Sequence, residues 1–169
     1  MTKQVTSTIM MIRPVAFSFN QETAVNNYYQ KVIKDLGKDQ VQYLAQKEFD
    51  SFVKKLRAID IEVVVVDDTI EPHTPDSIFP NNWISFHQDG RVALFPMFAE
   101  NRRLERREDI LLELKEKYHF EISEQFDFSH YEAQNLFLEG TGSILLDRVH
   151  KIAYASISLR TNPEILPSC

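Results

Sequence analysis

The feature that most constrains the fold is a spacing. RVAL at 91–94 and KIAY at 151–154 lie 60 positions apart, and each is the second extended run of a pair. The same offset relates Ile84 to Ile144 and Met97 to Ile157. In the first copy, WISFH and RVALFPM flank Asp89-Gly90, a dipeptide suited to the tight turn of a hairpin. In the second, a short turn joins GSILLD to KIAYASI. Between the two hairpins, NRRLERREDILLELKEKY sets Leu104, Leu111, Leu114 and Tyr118 on one helical face, and HFEIS (119–123) reads as a returning strand. A unit of strand, strand, helix, strand thus recurs with a period of about 60 residues, as repeat architectures do. RTNPEILP then reads as the start of the second copy's helix, with Pro163 in its first turn. Such a unit needs neighbours to bury its faces, so the chain reads as part of something longer.

Upstream of the repeat, Met10 to Phe17 is a short apolar run holding Pro14, the pattern of an edge strand. Glu22 to Leu36 reads as a helix stopped by Gly37. Asp39, three residues before Gln42, has the capping-box spacing for a second helix, with Val41, Leu44, Phe49, Phe52, Val53 and Leu56 as its buried stripe. IEVVVV (61–66) is a continuous β-branched run, the signature of a buried strand. The length of 169 residues fits one domain, 1–169, and 43% hydrophobic residues suffice for a core. A net charge of −6 argues against general affinity for nucleic acid or anionic membrane. The single cysteine, Cys169, cannot form an internal disulfide. These features predict a cytoplasmic protein. The five histidines lack metal-ligand spacing and no glycine-rich phosphate loop is present, so neither a metal nor a cofactor is expected.

Three segments carry candidate chemistry. In FLEGTGS (137–143), two of the chain's four glycines follow Glu139 directly. Two readings stand: the glycines relieve a bulge and Glu139 faces water, or they let backbone approach closely while the carboxylate is aimed into a pocket. In PDSIFPNNW, Asp76, Asn81 and Asn82 either bond their own turns or line a cleft whose oxygen atoms grip an N–H-rich planar group. The run ENRRLERR reads as a solvated helix face of opposite charges. Arg102 and Arg103 differ in preceding the amphipathic repeat, and Arg160 in SLRTN holds a similar place after the second hairpin. Two arginines entering from equivalent corners suit a carboxylate clamp.

In this order, PDSIFPNNW, ENRR, LEGTGS and SLRTN resemble the motifs of the guanidine-modifying superfamily, the pentein or amidinotransferase-like enzymes. That group includes arginine deiminase and dimethylarginine dimethylaminohydrolase. The resemblance runs over nearly the whole chain, from Met11 onward, and is nearest to the N-terminal half of the citrulline-utilisation hydrolase type. It implies an α/β fold, a partial pentein-type propeller of ββαβ units with about two to three of the five present. It implies that Asp76, Asn81 and Asn82 hold a guanidino or ureido head, and that Arg102 and Arg160 contact the substrate carboxylate. It places Glu139 on the glutamate that orients the catalytic histidine. Relatives often carry charged residues where this chain has Asn81-Asn82, a change that suits a neutral ureido group such as that of citrulline.

The family chemistry is covalent. A cysteine thiolate attacks the guanidino carbon while a histidine shuttles protons, ammonia or an amine leaves, and water enters. Both residues belong to the family's C-terminal half, and neither Cys169 nor any histidine here matches their motifs. The expectation is therefore the N-terminal portion of a C–N hydrolase acting on an arginine- or citrulline-like amino acid, inactive by itself. The alternatives are a non-catalytic amino-acid-binding protein, or an interaction fragment that self-associates through exposed strand edges.

Overall fold

The β-branched run in the first half buries its faces by gaining a partner strand and a covering helix. In a computed structural model, which describes residues 5–31 and 36–168, β1 (Thr8–Arg13) pairs in parallel with β2 (Glu62–Asp67), from Thr8 opposite Glu62 to Arg13 opposite Asp67. Parallel neighbours need a long crossover, and it contains α1 (Gln21–Ala24) and α2 (Lys38–Arg57). Ile12, Val63, Val64 and Val66 are buried, as is Val53 of α2. These elements form one of two compact units, Val5–Phe79; the other runs from Pro80 onward.

Several expectations in this unit are corrected. The first helix ends at Ala24 and turns follow it; residues 32–35 of the expected span lie outside the described residues. Asp39 is not the cap of α2. The helix begins at Lys38 with Gly37 at its N-cap and no side-chain cap bond. The capping box does not form because Gln42 is used elsewhere: its Nε2 donates to the Pro14 carbonyl at 2.9 Å and its Oε1 accepts from the Phe17 amide. Phe52 is exposed rather than in the buried stripe. The first strand ends at Arg13, before Pro14, instead of continuing to Phe17.

In the unit from Pro80 onward, β3 (Ile84–Phe86) and β4 (Arg91–Leu94) form the expected hairpin, Ile84 opposite Leu94. Gly90 takes φ +81 at its turn, and a Cβ there would press on the Glu121 carbonyl. The chain then passes through α3 (Glu100–Arg103) and α4 (Glu108–Tyr118) and returns as β5 (Glu124–Asp127), parallel to β4. This is one complete ββαβ unit. After α5 (Gly140–Ser143), a second hairpin follows, β6 (Ile144–Asp147) with β7 (Ile152–Ala155), Ile144 opposite Ala155. The first strands are thus offset by 60 residues and their partners by 61. The extra residue sits in the second turn, where Lys151 takes φ +57. Ala93, Phe95, Leu138, Ile144 and Ile165 form the core beneath both hairpins.

Here too the sequence reading needs correction. The expected helix over 101–118 is two helices, because Leu104–Arg107 leaves the helical path. Arg103 Nε donates to the Met97 carbonyl at 3.0 Å, and Arg106 pairs with Glu132 through two bonds of 2.6 and 2.8 Å. Those long-range tethers outcompete a continued i to i−4 ladder. ENRRLERR is therefore not a solvated face: Arg102 and Glu105 are both 3% exposed. Leu104 is exposed, and Ile110 and Leu114 supply the buried face of α4. The strand expected at HFEIS begins only at Glu124, because His119 closes α4 in the left-handed region at φ +54. RTNPEILP does not start an α-helix at Pro163; turns lead to a short 3-10 helix, Leu166–Ser168. Asn162 Oδ1 accepts from the Glu164 amide at 2.8 Å, a local turn, and Ile165 is inserted in the core. Among the described residues no helix is long and apolar enough to cross a membrane.

Candidate functional site

Two short extended segments bring the candidate residues together. Leu138 bridges Thr161 in antiparallel fashion, the Asn162 amide donates to the Phe137 carbonyl at 2.7 Å, and the Glu139 amide donates to the Arg160 carbonyl at 3.2 Å. This pairing sets Glu139 and Arg160 side by side. Ser143 fastens the corner, its Oγ accepting from the Glu139 amide and donating to the Arg160 carbonyl at 3.0 Å. Gly140 then turns the chain at φ +39, where any Cβ would meet the carbonyl oxygens of Asn81 and Asn82. At Gly142 a Cβ would fall on the Asn82 side-chain nitrogen. The glycines of FLEGTGS are required by the close passage of Asn81-Asn82.

The Glu139 carboxylate is 1% exposed, so the reading in which it faces water is overturned. Its Oε1 accepts from the Phe98 amide at 3.1 Å. Its Oε2 accepts from Asn82 Nδ2 at 3.2 Å and from Arg160 Nη1 at 3.4 Å, with Arg102 Nη1 at 4.0 Å. A buried carboxylate is tolerable only when cations and donors compensate it, and here two arginines, an amide side chain and a main-chain N–H do so. Arg102 is itself held side-on by Glu105, with Nε to Oε1 at 2.8 Å and Nη2 to Oε2 at 2.9 Å. The cluster therefore opposes two carboxylates to two guanidinium groups.

Of the residues singled out from sequence, Asn82, Arg102, Glu139 and Arg160 converge at this point. Asn81 adjoins them through its main chain, its carbonyl accepting from Thr141 Oγ1 at 3.3 Å, while the residue itself is exposed. Asp76 belongs to the Val5–Phe79 unit, where its Oδ2 accepts from Asn20 Nδ2 and Thr23 Oγ1, both at 2.8 Å. Sequence reasoning missed Glu105 and Ser143. Glu105 stands three residues after Arg102, a spacing that signals an ion pair, but the surrounding run of charges gives no sign that this pair is the buried one. Ser143 closes the FLEGTGS motif and carries no signal apart from that place. Among the described residues, no group of three or more His, Cys, Asp or Glu side chains is placed to hold a metal ion.

Known proteins resemble this chain in sequence and in fold. The family model described as N,N dimethylarginine dimethylhydrolase, eukaryotic, matches residues 13–169. No curated protein sequence matches the chain. Among solved structures, the product-bound N-terminal domain of ArgZ, an arginine dihydrolase from the ornithine–ammonia cycle in cyanobacteria, aligns with a TM-score of 0.66 at 19% identity, over 95% of this chain and 52% of that one. A variant of AgrE in binary complex with L-arginine aligns at 0.65 and 19% identity, over 95% of this chain and 21% of its own. A dimethylarginine dimethylaminohydrolase adduct with 4-chloro-2-hydroxymethylpyridine aligns at 0.60 and 18% identity, over 93% and 51%. All three are pentein folds, and the chain spans about half the length of the ArgZ domain.

Proposed function

Because the chain belongs to the eukaryotic N,N-dimethylarginine dimethylhydrolase family, we propose that it is the substrate-gripping, N-terminal portion of a hydrolase acting on the guanidino or ureido C–N bond of arginine- or citrulline-like amino acids. The observation that carries this reading is the Glu139 carboxylate, buried yet met by Asn82, Arg160 and Arg102. In the proposal, Glu139 and Asn82 face the planar head of the substrate. Arg160 and Arg102 provide positive charge for its carboxylate, and Asn81 contributes a further acceptor.

Turnover needs a thiolate to attack the guanidino carbon and a histidine to move protons to the departing nitrogen. We assign both to the portion that the family's C-terminal half supplies. Without them the chain binds and does not turn over, because the nucleophilic step is what makes the chemistry accessible. Calorimetry with L-arginine and L-citrulline tests the binding, and released ammonia or amine tests the turnover. Expected are saturable binding in the millimolar range or better, weakened by Arg160→Ala, and no product above background. Absence of binding at tens of millimolar ligand ends the reading, and product formation ends the claim of inactivity.

A further inference from the structure

The three side chains at the Glu139 carboxylate are not held alike. Arg102 is 3% exposed and locked by two short bonds to Glu105, and Asn82 is 7% exposed. The Arg160 side chain is 30% exposed, and its contact with Glu139 Oε2 is 3.4 Å, long for a charge-assisted hydrogen bond. Its main chain is nevertheless fixed, the carbonyl accepting from the Glu139 amide and Ser143 Oγ and the amide donating to Ser158 Oγ at 3.2 Å. An anchored backbone with a loosely held, part-exposed guanidinium is the layout of a side chain that can leave without unfolding its surroundings. What it places beside Glu139 is a planar, N–H-bearing group.

We infer that the Arg160 guanidinium is an exchangeable internal occupant of a guanidinium-binding seat on Glu139, displaced when a ligand head enters. This rests on the reading that the cluster takes such a head, and it adds what fills the seat beforehand and how the seat is opened. Displacement frees Arg160 to meet the carboxylate of an amino-acid ligand, so one side chain both closes the seat and receives the ligand's other end. Charge balance sets the preference once Arg160 is removed. Of the two guanidinium groups at Glu139, Arg102 then remains, and it is already paired with Glu105; a buried carboxylate that has lost a cation is costly. A cationic guanidinium restores the balance, whereas a neutral urea of the same shape does not.

The test uses Arg160→Ala in the full chain, with methylguanidinium and methylurea as probes that lack a carboxylate. Expected is a lowered thermal midpoint relative to the parent protein, restored by millimolar methylguanidinium but not by methylurea at the same concentration. By calorimetry, methylguanidinium should bind the variant at least tenfold more tightly than the parent, while L-arginine binds it more weakly. Arg160→Gln serves if the alanine variant does not fold, and Glu139→Gln added to either must abolish the rescue. Methylguanidinium binding that is unchanged or weaker in the folded variant overturns the inference. Failure of the functional reading shows separately, as absence of amino-acid binding to the parent chain.

Discussion

Single atoms decide the corner at Glu139, and the clearest case is Gly140. At φ +39, with the Asn81 and Asn82 carbonyl oxygens where a Cβ would stand, alanine meets both an unfavourable backbone region and main-chain atoms that cannot rotate away. Gly140→Ala should lose about 2–3 kcal/mol of stability, read as a lower denaturant midpoint with an unchanged slope. A second residue-level expectation concerns His87. Its Nδ1 lies 2.8 Å from Arg148 Nη1 and its Nε2 lies 3.1 Å from Ser85 Oγ. Arginine only donates, so Nδ1 accepts and the neutral ring carries its hydrogen on Nε2. Burial, with the Arg148 cation second, holds the His87 pKa below its ordinary 6.5; Asp89 opposes this and Arg91 adds to it. The unfolded chain therefore takes up a proton near pH 6.5 while the folded one resists, so this contribution is complete above that pH and is lost as pH falls below it. The thermal midpoint should drop more steeply for the parent than for His87→Gln on going from about pH 7.5 to pH 5. Equal slopes would show that this ring does not contribute.

At the scale of elements, the break between α3 and α4 is held open by one acid. Glu132 Oε1 accepts from the Met97 amide at 2.7 Å and from Arg106 Nη1 at 2.6 Å; its Oε2 accepts from Arg106 Nη2 at 2.8 Å, with Arg103 Nε at 3.6 Å. Its side chain is 13% exposed, so removing it takes the counter-charge from two part-buried arginines and leaves them only main-chain carbonyls as partners. Glu132→Ala should cost about 2–3 kcal/mol in chemical denaturation, and Glu132→Gln less; loss below about 0.5 kcal/mol would mean that solvent replaces the acid. This network also shows where sequence reasoning stops. The first hairpin was legible because Asp-Gly between two extended runs is a local signal, and Arg102 and Arg160 were legible through their like places after the two hairpins, while Glu139 was placed by the family resemblance. The split helix was not, since the carbonyl of Met97 and the acid at 132 act on Arg103 and Arg106 across distances that no periodicity encodes. Buried Glu105 was hidden for the same reason, as its neighbours Arg103, Arg106 and Arg107 make the whole run look solvated. Phe52 erred in the other direction: its spacing put it on the apolar stripe of α2, but the stripe that packs is narrower than the sequence suggests.

For the molecule as a whole, the two copies of the hairpin differ in what covers them, and this has a consequence in solution. In the first copy, β5 lies along β4, and Val92, Ala93 and Leu94 are buried. In the second, β7 pairs with β6, and all four of its residues, Ile152 to Ala155, are exposed, although none of them is charged. Leu145 and Tyr154, opposite each other in the register, are 70% and 54% exposed on one face. Ile157 and Leu159 continue the exposed apolar run at 77% and 65%. An apolar edge strand carrying neither proline nor an internal charge is a template for pairing with another chain. The expected outcome is concentration-dependent self-association, seen as a rising sedimentation coefficient between about 10 and 200 μM, within the range where exposed edges associate. Leu145→Lys with Tyr154→Lys puts two like charges on the face that would be covered, so it should hold the protein monomeric. The thermal midpoint at low concentration should be little changed, because both side chains are already in solvent. A parent protein that stays monomeric across that range would show that the hairpin's own twist suffices to protect its edge.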